Sequence, residues 1–143
     1  MKPLALVAAL LVALVASLSA CGGNDEAPNA PTMLQGSWQL ETLNGAAADT
    51  AVTSSLSMNE GKATGNAGVN QFNGDYDAPS DGELTFSTLA TTMMAGPDNA
   101  TQQEQAFLKA LADTEKFTTE DGDLVLMDGS ETKLAVLGAA GNG

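Results

Sequence analysis

The chain has 143 residues, five of them basic and 18 acidic, for a formal net charge of −13, with one cysteine and no histidine. That balance excludes nucleic-acid binding, which needs a basic face to displace counterions. With arginine and histidine both absent, there is no bidentate clamp for phosphate or carboxylate, no Ser-His or Cys-His nucleophile pair and no His-ligated zinc site.

In chain order, Lys2 is the only positive charge before an apolar run of Leu, Ala and Val from Leu4 to Leu18. The run is shorter than the roughly 20 residues that span a bilayer as a helix, and it has the length of a signal-peptide core. It ends in Leu18-Ser19-Ala20-Cys21, which looks like the lipobox of bacterial lipoproteins. Residues 1–20 are therefore expected to be a signal peptide, and Cys21 the acylated first residue of the mature protein. As the chain's single cysteine, Cys21 has no partner within the chain for a disulfide. A diacylglyceryl anchor holds where a single chain would not, because each buried CH₂ contributes about 0.8 kcal/mol. The membrane is the first expected partner. In a Gram-negative host the expected location is the periplasmic face of the outer membrane, since glycine rather than aspartate follows the cysteine.

Residues 21–33 are rich in Gly, Asn, Pro and acids, and read as a tether with a reach of roughly 20 Å. A single domain is expected over residues 34–138. Short alternating runs follow: Ser37 to Leu43, Ala51 to Met58, Lys62 to Val69 after an Asn59-Glu60-Gly61 turn, Asp75 to Ala78, Glu83 to Ser87, Asp123 to Met127 and Thr132 to Leu137. Asp81-Gly82, Asp121-Gly122 and Asp128-Gly129 fall between apolar runs, where hairpin turns of positive φ are expected. The last residues, Gly138 to Gly143, have nothing to bury. One segment breaks the pattern. Residues 99–113 carry Ala100, Phe107, Leu108, Ala110 and Leu111 at helical spacing, with Asp98 or Asn99 as cap and Glu104 assigned to the positive end of the helix dipole. The fold predicted is mainly β (α+β). A strongly curved or barrel-like antiparallel sheet of seven or eight short strands has one amphipathic helix packed against it. Its predicted core is Trp38, Leu40, Leu56, Tyr76, Leu84, Phe86, Phe107, Leu111, Leu124, Leu126 and Val136.

The ordered set Trp38-x-Leu40, Gly68-Val69-Asn70 with Phe72 and Tyr76, Leu84-x-Phe86, Thr92-Met93-Met94-Ala95-Gly96, Glu104 to Leu111 and Leu124-x-Leu126 resembles the META domain. That family includes the HslJ-like heat-inducible lipoproteins. The resemblance implies a mainly β fold and a link to envelope or stress physiology, and it carries no agreed catalytic residues. The family often has Gly-Cys-Asn where this chain has Gly68-Val69-Asn70, and Met-Ala-Cys where it has Met94-Ala95-Gly96. Both cysteines are missing together here, which implies that they pair in relatives.

Gly68, Asn70, Tyr76 and Met94 are the candidate interaction residues, set against a plain structural role for the same turn. There, Gly65, Gly68 and Gly74 would supply positive φ and Asn70 would satisfy loop amides. Of Met93 and Met94, one is expected in the core and one near the surface. Asp75 with Asp77, and Glu120, Asp121 and Asp123, read as solvated acids without calcium-loop spacing, so no metal and no cofactor is expected. The function expected is that of a non-enzymatic, monomeric envelope lipoprotein acting in stress tolerance or through an envelope protein partner. A carrier of an apolar small molecule or acyl chain is the alternative, and a hydrolase the weakest reading. Processing of the wild-type chain should be globomycin-sensitive, and Cys21→Ala should lose the membrane-bound fraction. A Cys21→Ala protein processed and fractionated like its parent would rule the anchor out.

Overall fold

The computed structural model of the protein describes residues 32–141. The expected signal peptide, Cys21 and most of the tether lie outside the described residues. The described residues open in a 3-10 turn, Thr32–Leu34, which takes in two residues expected to belong to the tether. Leu34 is fully buried, and the Trp38 indole N–H donates to its carbonyl at 3.1 Å.

Ten strands and one helix follow: β1 Gly36–Leu43, β2 Ala46–Ala47, β3 Ser55–Asn59, β4 Lys62–Asn66, β5 Gln71–Asp77, β6 Thr85–Phe86, β7 Ala90–Thr91, α1 Asp98–Asp113, β8 Lys116–Glu120, β9 Asp123–Met127 and β10 Lys133–Ala139. The sheet order is β6-β5-β4-β3-β1-β10-β9-β8, with β2 added to β1 and β7 to β5. The two ends of this path nearly close on each other. Leu84 N–H donates to Glu115 O at 3.1 Å, Phe117 N–H donates to Gly82 O at 3.0 Å, and Glu83 bridges Lys116. The result is a nearly closed, eight-strand antiparallel barrel with one helix, as the alternating runs predict. Closure leaves few free strand edges.

Turn chemistry explains the hairpins. Asn44-Gly45, Glu60-Gly61 and Asp121-Gly122 each have two successive positive φ values, the backbone a two-residue turn needs to match strand twist. Two other expected hairpin turns differ. At Asp81-Gly82 only the glycine has positive φ. At Asp128-Gly129 neither does; Asp128 Oδ1 instead accepts from Ser130 and Thr132 N–H, and Glu131 takes the positive φ. Strand β8 between the helix and Asp121, and the short β2 and β7, had no clear alternation to reveal them. The C-terminal end is also longer than expected, since Gly138 pairs with Gln39 and Ala140 N–H reaches Ser37 O at 2.9 Å.

The interior is filled. Leu34, Leu56, Met58, Leu84, Phe107, Leu111, Leu124, Leu126 and Leu137 are all fully buried, together with Trp38, Leu40, Phe72, Tyr76 and Phe117. Large inward residues face small ones across strands, Leu56 opposite Gly65 and Met58 opposite Ala63. Two core expectations need correction. Val136 is half-buried, because a register shift between Lys133 and Ala135 turns Ala135 and Leu137 inward. Phe86 is half-buried at the barrel's outer margin, in a two-residue strand.

Helix α1 packs on β1, β6, β9 and β10. It buries Ala100, Phe107, Ala110 and Leu111, and Phe107 meets Phe72 edge-to-face with ring centroids 6.0 Å apart. The expected cap is corrected: Pro97 is the N-cap, without a side-chain cap bond, and Asp98 is already in the first turn. At the other end Thr114 Oγ1–H donates to Ala110 O at 2.7 Å. Phe107→Ala should destabilise the domain by about 3–5 kcal/mol in chemical denaturation, because the closed sheet cannot collapse into the void. A change under about 1 kcal/mol would refute the helix-plugged barrel.

Candidate functional site

The chain from Asn66 to Asn70 crosses the N-terminal half of α1 so closely that its glycine has no room for a side chain. A Cβ on Gly68 would lie 2.7 Å from Ala100 O and 3.2 Å from Glu104 Cβ, and its φ of 152° is strained for any other residue. Gly65 and Gly74 do not have positive φ; their constraint is space. A Cβ on Gly65 would lie 2.0 Å from Ser55 O, and one on Gly74 would lie 2.7 Å from Leu89 Cδ2.

Asn70 is buried here, and its polar groups are fully used. Its Oδ1 accepts from Met94 N–H at 2.6 Å and from Thr92 Oγ1–H at 2.9 Å. Its Nδ2 donates to Met94 O at 3.1 Å and to Glu104 Oε2 at 2.9 Å. An amide side chain offers two donors and two acceptor sites, and all four are filled. The Asn70 backbone N–H donates to Glu104 Oε1 at 2.5 Å, Val69 N–H reaches the same oxygen at 3.2 Å, and Asn70 O accepts from Ala67 N–H at 2.8 Å. Glu104 is only 8% exposed. It lies well past the first turn of α1, where the dipole field has faded. Its carboxylate is satisfied by the turn instead. The helix reaches a second loop through Gln103, which accepts from Asp49 N–H and donates to the Ser54 hydroxyl, and through Asn99, which donates to Asp49. The Asn99 amide and then the Ala51 N–H hold the Asp49 carboxyl below its ordinary range.

The loop that Asn70 grips carries Met93 and Met94, and both are exposed, at 93% and 60%. This overturns the expectation of one core and one surface methionine. With Thr92 Oγ1 and both polar groups of Met94's backbone tied to Asn70, the loop lies along the turn and its side chains point away from the core. Of the sequence candidates, Gly68, Asn70 and Met94 thus converge on one place. Tyr76 does not join the exposed face: it is 5% exposed, and its hydroxyl is buried without a hydrogen-bond partner. Glu104 was legible as an acid on the apolar stripe Ala100-Glu104-Phe107-Leu111, a position where an acid needs a buried partner. Of the acids read as solvated, Asp75 pairs with Lys62 and Glu120 with Lys133 at the surface. Among the described residues no cluster of three ligating side chains could hold a metal ion. A groove of about 360 Å³ runs between β6, β7 and the C-terminal half of α1, lined by Phe86, Leu89, Leu108 and Ala112 and open to solvent along one side.

The META domain family model matches residues 31–141, most of the chain. This chain belongs to the META domain family. Among solved structures, the META domain resembles an NMR structure of a protein from Burkholderia xenovorans, with 24% identity and a TM-score of 0.63 over 79% of this chain and 88% of that one. A crystal structure of a DUF4847 family protein from Bacteroides vulgatus aligns at 13% identity and a TM-score of 0.55, over 74% of this chain and 93% of that one. At these identities the likeness shows a shared fold. None of the curated proteins matches the chain.

Val69 and Gly96, the positions where the family often has cysteines, touch. A Cβ built on Gly96 would stand 3.3 Å from Val69 Cβ, slightly closer than the roughly 3.5–4.5 Å that a disulfide spans. In this META domain the valine methyls fill the space of the bridge. Val69→Cys with Gly96→Cys should oxidise spontaneously and stabilise the domain by about 2–4 kcal/mol, lost on adding reductant. Free thiols persisting under air would show that the loops are not in this register.

Proposed function

We propose that this META domain protein is a non-enzymatic lipoprotein of the cell envelope that works by binding an envelope protein, in support of stress tolerance. The observation that carries this reading is the methionine loop. Two large apolar side chains stand in water on a loop that Asn70 ties down through both backbone polar groups of Met94. Such a surface loses little conformational freedom on docking, and methionine adapts to varied partners. Charge suggests the partner's character. The domain's four lysines are each paired with an acid, to Asp75, Asp113, Glu131 and Glu120, so the acids left over dominate the surface. An apolar patch rimmed by basic residues is the complementary face.

A photo-crosslinking residue at position 93, in intact cells, should give an adduct of discrete size that the same residue at the exposed Gln102 does not. Asn70→Ala, which frees the loop, should weaken that adduct while circular dichroism still reports the fold. Identical adducts from both positions, or none at 93, would sink the docking reading. The carrier alternative keeps one supporting feature, the open groove beside Phe86 and Leu108. It ranks second because the barrel interior is filled, and a ligand in an open groove stays largely in water.

A further inference from the structure

We propose that Met93 and Met94 form a modification site for two-electron oxidants of the peroxide class, one that is oxidised and restored without unfolding the domain. Access to the described methionines is graded, with Met93 and Met94 the most exposed and Met58 sealed in the core. Met58 is fully buried, Met127 is half-buried, Met33 is 53% exposed, Met94 60% and Met93 93%. A thioether reacts when an oxidant reaches a sulfur lone pair and water can solvate the forming S–O dipole. Met93 and Met94 meet both conditions in the native state, whereas Met58 meets neither until the barrel opens. The balance is simple. The sulfur lone pair attacks one peroxide oxygen, the O–O bond breaks as the S–O bond forms, and the other oxygen leaves as water once it has taken up a proton. Sulfur loses two electrons and the peroxide gains them.

The fold tolerates the product for a reason visible in the geometry. The hydrogen bonds holding the loop run through the backbone of Thr92 and Met94, the Thr92 hydroxyl or the Asn70 amide, and none runs through a thioether. Sulfoxides at these positions displace no core packing, while one at Met58 would bury a polar group among Leu56, Ala63 and other fully buried side chains. Oxidation therefore turns an apolar tip polar and leaves the barrel intact, and methionine sulfoxide reductases of both epimer specificities can reverse it. The site stands whether or not the loop docks a partner, since sulfoxide is read by mass on the free protein.

The test is a hydrogen peroxide time course on the full chain, with peptide mass spectrometry and thermal unfolding at each point. Met93 should oxidise fastest and Met94 next, both at least about tenfold faster than Met58, in line with exposure. The unfolding midpoint should stay within about 2 °C until both are converted. Met93→Leu with Met94→Leu should remove the uptake at these two positions and leave that of the exposed Met33. The Met58→Leu protein, close in volume, should keep the uptake at positions 93 and 94 and its stability through oxidation. Met58 or Met127 keeping pace with Met93 would overturn the proposal. So would a fall in the midpoint of the Met58→Leu protein as positions 93 and 94 convert.

Discussion

The hydrogen bonds around Asn70 and Glu104 join three parts of the chain: the turn before β5, the loop that leads from β7 to α1, and the helix, which belongs to no ladder. Taking a carboxylate out of water costs several kcal/mol unless its acceptor sites are filled. Glu104 has no lysine beside it, and three N–H donors from Val69 and Asn70 fill that role. In turn the three remaining sites of the Asn70 amide are filled by the methionine loop. Each member is acceptable inside the protein only because the others are in place, so the network behaves as a unit. Losing one partner would strand the rest, which is why helix position, turn geometry and loop path are coupled.

This coupling explains how an apolar loop can face water in a domain that buries most of its large apolar side chains. The barrel interior is fully packed, with α1 against it and Phe107 wedged on Phe72. A free loop would let these side chains lie down on nearby apolar surface, but Asn70 holds the backbone from both its donor and acceptor sides. The polar network thus dictates an exposure that the hydrophobic effect alone would disfavour.

Charge plays a different part. The four lysine–acid pairs lie at the surface, where such pairs contribute about 0–1 kcal/mol each. Stability rests on the packed core and backbone ladders. The surplus acids set the negative sign of the domain's surface.

By itself the sequence determined the class of fold, because the relevant signals are local. Alternation in Trp38-x-Leu40 and Leu84-x-Phe86, helical spacing from Ala100 to Leu111 and glycine turns at Gly61 and Gly122 depend on residues a few positions apart. The ordered motifs likewise sufficed to suggest the family. Three things were decided only by tertiary structure. A register shift before Ala135 swapped Val136 for Ala135 and Leu137 in the core, and such shifts leave no mark on alternation. Strand β8 exists because its neighbours β9 and the Gly82–Leu84 segment supply hydrogen-bond partners. The role of Glu104 and the exposure of both methionines depend on contacts across roughly 24 to 35 residues of chain. Side chains so far apart in sequence carry no information about each other until the closed barrel brings their backbones together.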